Sequence, residues 1–376
     1  MLNSPDIYKG KLLGDSSATS FKLNQPNPRW LVSPAYDLLL ISNVAWPICA
    51  FFMAWVLNAF FSSAIEYYIF YILVIPHRFI TPFLVCLEGH RRPERQRAFF
   101  SVFLFVAVGY SLLWFSLPDI AILLLIRYVW NCFHGASQIF GISRIYSTAA
   151  KSMEGQDRLG SYLYRSFFTY STCRLIHLDA YERRFGSGLL VSSSWNWKTP
   201  LSHLDYLFLF IPIFLLAREF YNFRRERLGK LVYVCSNCVL YSALLVATHF
   251  SELGYPSLAY WAAGLALSTA LTHSTEYLAI VSWAKDRRWR GASMPVRAVF
   301  EQWAMSLGIG ISSLAVLANL LEGSYAKLWI FVATLASFFH YAFDGMIWKR
   351  PVLFSQKIQV QERDEPSLRG NLALAK

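Results

Sequence analysis

Apolar residues in this chain come in long, little-broken runs separated by short clusters of polar and charged residues. The runs cover 36–61, 63–87, 99–117, 120–142, 231–253, 257–283, 298–321 and 328–348. Roughly 20 apolar residues in a helix cross a bilayer's hydrocarbon core, and strands of a membrane barrel alternate over about ten. The pattern therefore predicts an all-α, polytopic membrane helix bundle of about eight transmembrane helices. A ninth run, 204–217, is shorter and contains Pro212.

The connections sort by charge. The N-terminal arm, 88–97, 143–203, 218–230, 285–297 and the tail from Lys349 are basic, whereas those near Ser62, Pro118, Pro256 and 322–327 are nearly free of Lys and Arg. Basic loops stay on the cytoplasmic side, so eight spans alternate with both termini inside. The run 204–217 has basic segments on both sides and breaks the alternation; it reads as interfacial or re-entrant, with nine spans as the alternative. The chain then divides into a cytoplasmic arm 1–35, a membrane domain 36–351 carrying a cytoplasmic or interfacial insert at 143–230, and a cytoplasmic tail 352–376. The polar N-terminus has no apolar core for a cleaved signal peptide, so the first span itself acts as the insertion signal. An integral protein of a bacterial inner membrane follows as the expected location.

Composition agrees with this picture. The chain has 376 residues, 55% hydrophobic, 17% aromatic and only 15% charged, against about 25% charged in soluble domains. Its net charge of +12 is concentrated in the loops, so it signals orientation and gives no reason to expect a nucleic-acid partner. Cys235 and Cys238 form a CxxC where a helix enters the membrane, without a second pair; two small packing residues explain it better than a metal or redox site.

Ionisable residues inside spans are costly and mark functional candidates. His77, His134, His273 and His340 all lie on helices running from outside to inside. They precede the basic clusters at Arg91, Arg144, Lys285 and Lys349 by 14, 10, 12 and 9 residues. At about 1.5 Å per residue this places four imidazoles within a layer about 7–8 Å thick. Each has a polar companion one turn on: Thr81, Gln138, Glu276 and Asp344. Metal-bound histidines hand their second ring nitrogen to such groups, and imidazole with a nearby carboxylate suits iron, copper or zinc. The residues singled out are thus His77, His134, His273 and His340 as metal ligands. Glu276 and Asp344 would orient imidazoles or join the ligands, and Gln138 and Arg127 would place substrate or dioxygen. Arg127 could also neutralise a substrate carboxylate. Arg78, Asn131 and Glu301 are further polar groups of the same cavity. His249, near the outer end of a helix of opposite direction, stands apart.

The sequence has no HxxxH or HxxHH pairs, no helix with two histidines spaced for two haems, and no Walker A loop, nucleophile elbow, CxxCH or HExxH. One histidine per helix, with the tripeptide His134-Gly135-Ala136, resembles the bacterial Brp/Blh-type membrane carotenoid dioxygenases. That resemblance implies a polytopic helical fold, a histidine-ligated non-haem iron and an apolar isoprenoid substrate. The segment His340, Tyr341, Asp344, Ile347, Trp348, Lys349 is similar to an HYxxDxxIWK motif of other polytopic bacterial membrane proteins, and implies no activity. The leading expectation is a membrane-embedded, histidine-ligated metal oxidoreductase or oxygenase, with non-haem iron ahead of haem or copper. Its substrate would be lipid-soluble, such as a carotenoid, lipid or quinone, and its electron donor is left open. The alternatives are a proton-coupled transporter using the His, Glu and Asp residues as a relay, and a haem-binding electron-transfer protein.

Overall fold

The computed structural model describes residues 29–59, 77–78, 81, 93–117, 121–150, 158–177, 198–255, 257–288 and 326–347. All regular structure among the described residues is helical. A short N-terminal turn, Pro34–Tyr36, continues through a wide turn, Asp37–Ile41, into α1 (Trp46–Ala59). There follow α2 (Pro93–Ser116), α3 (Ala121–Ala149), α4 (Arg158–Cys173), α5 (Lys198–Tyr221), α6 (Leu228–Glu252), α7 (Ser257–Arg288) and α8 (Ala326–Ile347). Most of the expected spans 63–87 and 298–321, together with Cys86, Glu301, the arm before residue 29 and the tail 352–376, lie outside the described residues.

Among the described residues three helices are long and apolar enough to cross a membrane, Pro34–Leu57, Gln96–Ser116 and Arg225–Glu252; Ile330–Met346 is a shorter apolar one. Their surfaces fit that role. On α2, Phe100, Phe105 and Phe115 point outward with 63%, 79% and 81% of their area exposed, an apolar face that water would not tolerate at this extent. The interior, conversely, holds buried Asp, Glu, His, Arg and Lys side chains. Polar groups inside and apolar groups outside is the arrangement a lipid solvent selects.

Helix α7 packs against α1 on one side and α6 on the other. The α1–α7 contact is close because Gly264 faces Ala50 and Ala54; a Cβ there would sit 2.8 Å from the Ala50 carbonyl and 2.8 Å from the Ala54 nitrogen. Small residues let helix backbones approach in this way. The segment ahead of α1 is held by buried Asp37, which accepts hydrogen bonds from Leu31 N (2.7 Å), Val32 N (3.1 Å) and Tyr146 Oη (2.9 Å).

The insert expected to be cytoplasmic or interfacial contains two packed helices. In α4, Gly160, Tyr164, Phe167, Phe168 and Ser171 are buried along one face, and the helix packs on α3, α5 and α6. It runs antiparallel to α3: Tyr128 Oη donates to the Thr172 carbonyl (2.6 Å), while Ser143 and Tyr164 hydroxyls meet at 3.4 Å. The run 204–217 is the middle of α5, a continuous 24-residue helix beside α6, about 36 Å long at 1.5 Å per residue.

Buried ion pairs fix the two ends of this hairpin. At one end, Arg174 binds Asp205 (Nε–Oδ1 2.9 Å) and Glu252 (Nη2–Oε2 2.5 Å), and His249 Nδ1 lies 2.9 Å from Asp205 Oδ2. At the other, Glu219 meets Lys230 (2.9 Å) and Arg227 (3.4 Å). Asp205 is neutralised by Arg174, 31 residues away in the sequence, and Glu219 by Arg227 and Lys230 across the turn into α6.

Candidate metal centre

Four imidazoles meet in the interior. His134 comes from α3, His273 from α7, His340 from α8 and His77 from the described fragment 77–78. Their ring centroids form a closed circuit: His77–His273 5.0 Å, His273–His134 5.3 Å, His134–His340 4.7 Å and His340–His77 4.9 Å. All four contacts are edge-to-face, so ring edges, where the nitrogens lie, point toward neighbouring rings. His77, His134 and His340 are buried, from fully buried His340 to His134 at 8% exposure, and both ring nitrogens of His273 are buried as well.

The ring nitrogens are only partly satisfied. Among the described residues Nε2 of His134, Nε2 of His340 and both nitrogens of His273 have no hydrogen-bond partner, a costly state for buried polar atoms. Asp344 Oδ2 stands 3.6 Å from His134 Nε2 and 3.9 Å from His340 Nε2. Two ligands each about 2.1 Å from one ion lie at most about 4.2 Å apart. Ligand atoms of His77, His273 and His340 lie within 4.8 Å of one another, as do those of His134, His340 and Asp344. These buried His and Asp groups could hold a metal ion.

The companions serve neighbouring helices. Thr81, four residues after His77, lies 2.6 Å from His340 Nδ1, 2.6 Å from Tyr277 Oη and 3.3 Å from Asp344 Oδ1. Tyr277 Oη also donates to Asp344 Oδ1 (3.0 Å), so Asp344 keeps Oδ2 toward His134 and His340. His77 Nδ1 is met by the Ser274 hydroxyl at 3.0 Å. Cross-helix bonds of this kind fix ring orientation and tautomer.

The remaining candidates sit farther out. Glu276 is fully buried but turns to α6 and α3, accepting from Tyr233 Oη (3.2 Å), Asn237 Nδ2 (3.4 Å) and Gln138 Nε2 (3.3 Å); the ring of His273 receives no hydrogen bond from it. Gln138 Nε2 donates to the His273 carbonyl (2.9 Å), tying α3 to α7 beneath the site. Arg127 donates to Thr334 Oγ1 (3.2 Å), two helical turns from His134. His249 lies in the Arg174–Asp205 network, with Tyr206 Oη 3.2 Å from its Nε2. Cys235 and Cys238 are free thiols on α6, Cys238 buried.

Tyr277, Ser274 and Ser337 are polar contributors that the sequence reading passed over. The available signal was helical spacing: Tyr277 follows His273 by four residues, and Ser337 precedes His340 by three. Gly135 leaves room beside His273, whose Nδ1 would be 3.8 Å from a Cβ at that position. No protein-family model, curated protein or solved structure matches the chain.

Proposed function

We propose that this protein is a membrane-embedded oxidoreductase with a non-haem iron held by His77, His134, His273 and His340 and backed by Asp344. The observation that carries the reading is the closed circuit of four buried rings, with unsatisfied nitrogens on His134, His273 and His340. Such nitrogens favour a ligand that accepts lone pairs, and imidazole ligands suit iron, copper and zinc. The centroid spacings of 4.7–5.3 Å favour a bare ion over haem, because a porphyrin is wider than the space these rings enclose. Bound iron would supply redox chemistry at its positions not occupied by protein. The protein's own part is to fix the rings through Thr81, Ser274 and Tyr277, and to exclude water. A site buried among apolar-faced helices is suited to a lipid-soluble substrate entering sideways, such as a carotenoid, lipid or quinone.

The same reading places the chain in a bacterial inner membrane with both termini cytoplasmic, and takes its crossings to be the eight apolar runs plus α4 and α5. Two added helices preserve the alternation that one would break. With its terminal turn to His177, α4 is about 32 Å long at the usual rises per residue, matching the hydrocarbon core.

Elemental analysis and an optical spectrum of detergent-purified protein test the proposal. The wild type should carry about one iron per chain without a Soret band, as a bare histidine site would, and His134→Ala should lose it. A Soret band would replace non-haem iron by haem. Absence of metal from the wild type would overturn the metal reading in favour of a polar relay.

A further inference from the structure

Arg78 follows His77 directly and is 5% exposed, yet it has no acidic partner among the described residues. Its Nη1 donates to Ser337 Oγ (2.8 Å), its Nη2 reaches Asn131 Oδ1 at a long 3.4 Å, and its Nε has no hydrogen-bond partner. A guanidinium cannot shed its charge, and a buried charge without a counter-charge is among the costliest groups in a membrane interior. The other ion pairs described here show the contrast: Arg174 has two carboxylates and Glu219 two cations.

The surroundings give the charge a direction. Asn131 and Ser337 each precede a ring histidine by three residues, on α3 and α8. One turn farther out, Arg127 Nη1 donates to Thr334 Oγ1. Matched polar pairs thus climb the α3–α8 contact away from the four rings. The neighbouring face of α3 is apolar and outward-facing, with Val129, Trp130 and Phe133 at 46%, 44% and 48% exposure. Asn131 itself is only partly buried. A polar track of two arginines therefore begins beside the histidines and borders a lipid-facing surface.

We propose that Arg78, with Asn131 and Ser337, receives the carboxylate of a long-chain acid drawn from the bilayer. The Nε–Nη2 edge of the guanidinium is the one with unused donor capacity, and such an edge binds a carboxylate through two parallel hydrogen bonds. The proposal rests on the oxidoreductase reading and narrows its substrate class to lipid-soluble monocarboxylates, which sets aside an uncharged hydrocarbon. Binding brings one negative charge to the fixed positive one, and no bond is made or broken in this step.

The test is equilibrium binding of [1-13C]palmitate to the full-length protein in maltoside detergent, with hexadecanol and acetate as comparison probes and iron content measured on every sample. Palmitate should bind roughly ten- to a hundredfold more tightly than hexadecanol, the factor that one charge-assisted interaction supplies. Arg78→Gln should erase that preference while Arg78→Lys keeps part of it, with elution and thermal unfolding as checks on folding. Millimolar acetate should not displace palmitate. Equal binding of palmitate and hexadecanol by the wild type, which needs no variant, would overturn the proposal, as would a preference that survives in folded Arg78→Gln. Displacement by acetate would overturn the lipid source and leave a soluble carboxylate. Palmitate preference in a protein without iron would sink the metal reading alone, and iron without the preference would sink the carboxylate site alone.

Discussion

His134, His273 and His340 have nitrogens that nothing among the described residues satisfies, and Thr81, Tyr277 and Ser274 hold the neighbouring groups in place. Residues that orient metal ligands change affinity by about ten- to a hundredfold when lost. Thr81→Val should therefore weaken iron retention by about that factor without unfolding the protein, as read by iron content after graded chelator challenge. Unchanged retention would show that the Thr81–His340 bond plays no part in holding the ion. The pH dependence has a definite sign. Only neutral imidazole binds a metal, so acidification that protonates the rings should release iron, and raising the pH should not. The histidines were legible in the sequence because each interrupts an apolar run. Their bonding partners were not, because the spacing rule names companions on the same helix while Thr81 and Ser274 bond rings carried by other segments.

Among the helices, α4 and α5 are the two that the apolar runs of the sequence do not count as spans. The stretch 143–203 is a long polar interruption, and the short run 204–217, with Pro212 and basic segments on both sides, breaks the alternation of the loops. In three dimensions Arg165 lies over the rings of Phe133 and Phe140, at 5.9 and 5.3 Å, and Asp205 and Glu219 are ion-paired. Such long-range compensation leaves no local trace. Removing one side of the buried Arg174 network should be severe. Arg174→Met strands Asp205 and Glu252 and should cost about 3–5 kcal/mol, visible as a large drop in the thermal unfolding midpoint. A midpoint within a degree or two of wild type would mean that these pairs do not hold the hairpin. Gly264→Leu tests the α1–α7 contact in the same assay, with about 1–3 kcal/mol expected for an overpacked interface.

At the scale of the whole molecule, apolar faces outward and ionisable groups inward describe a protein folded for a lipid solvent. The proposed ten crossings keep Arg144, Lys151, Arg224 and Arg225 on the cytoplasmic side. They place 178–197 outside, where Arg183 and Arg184 are balanced by Asp179 and Glu182. An epitope inserted after Gly186 in the full chain should be bound by antibody on spheroplasts without permeabilisation. Binding only after permeabilisation would return α4 and α5 to the cytoplasmic face.

The most direct test of the metal centre is X-ray absorption at the iron edge of purified, full-length protein. The expected result is a shell of nitrogen and oxygen at about 2.0–2.2 Å, the range of protein imidazole and carboxylate bonds, with the outer-shell scattering of several imidazole rings that His273→Ala diminishes. A sulfur shell, a porphyrin pattern, or a spectrum without imidazole scattering would contradict iron bound within the ring of four histidines.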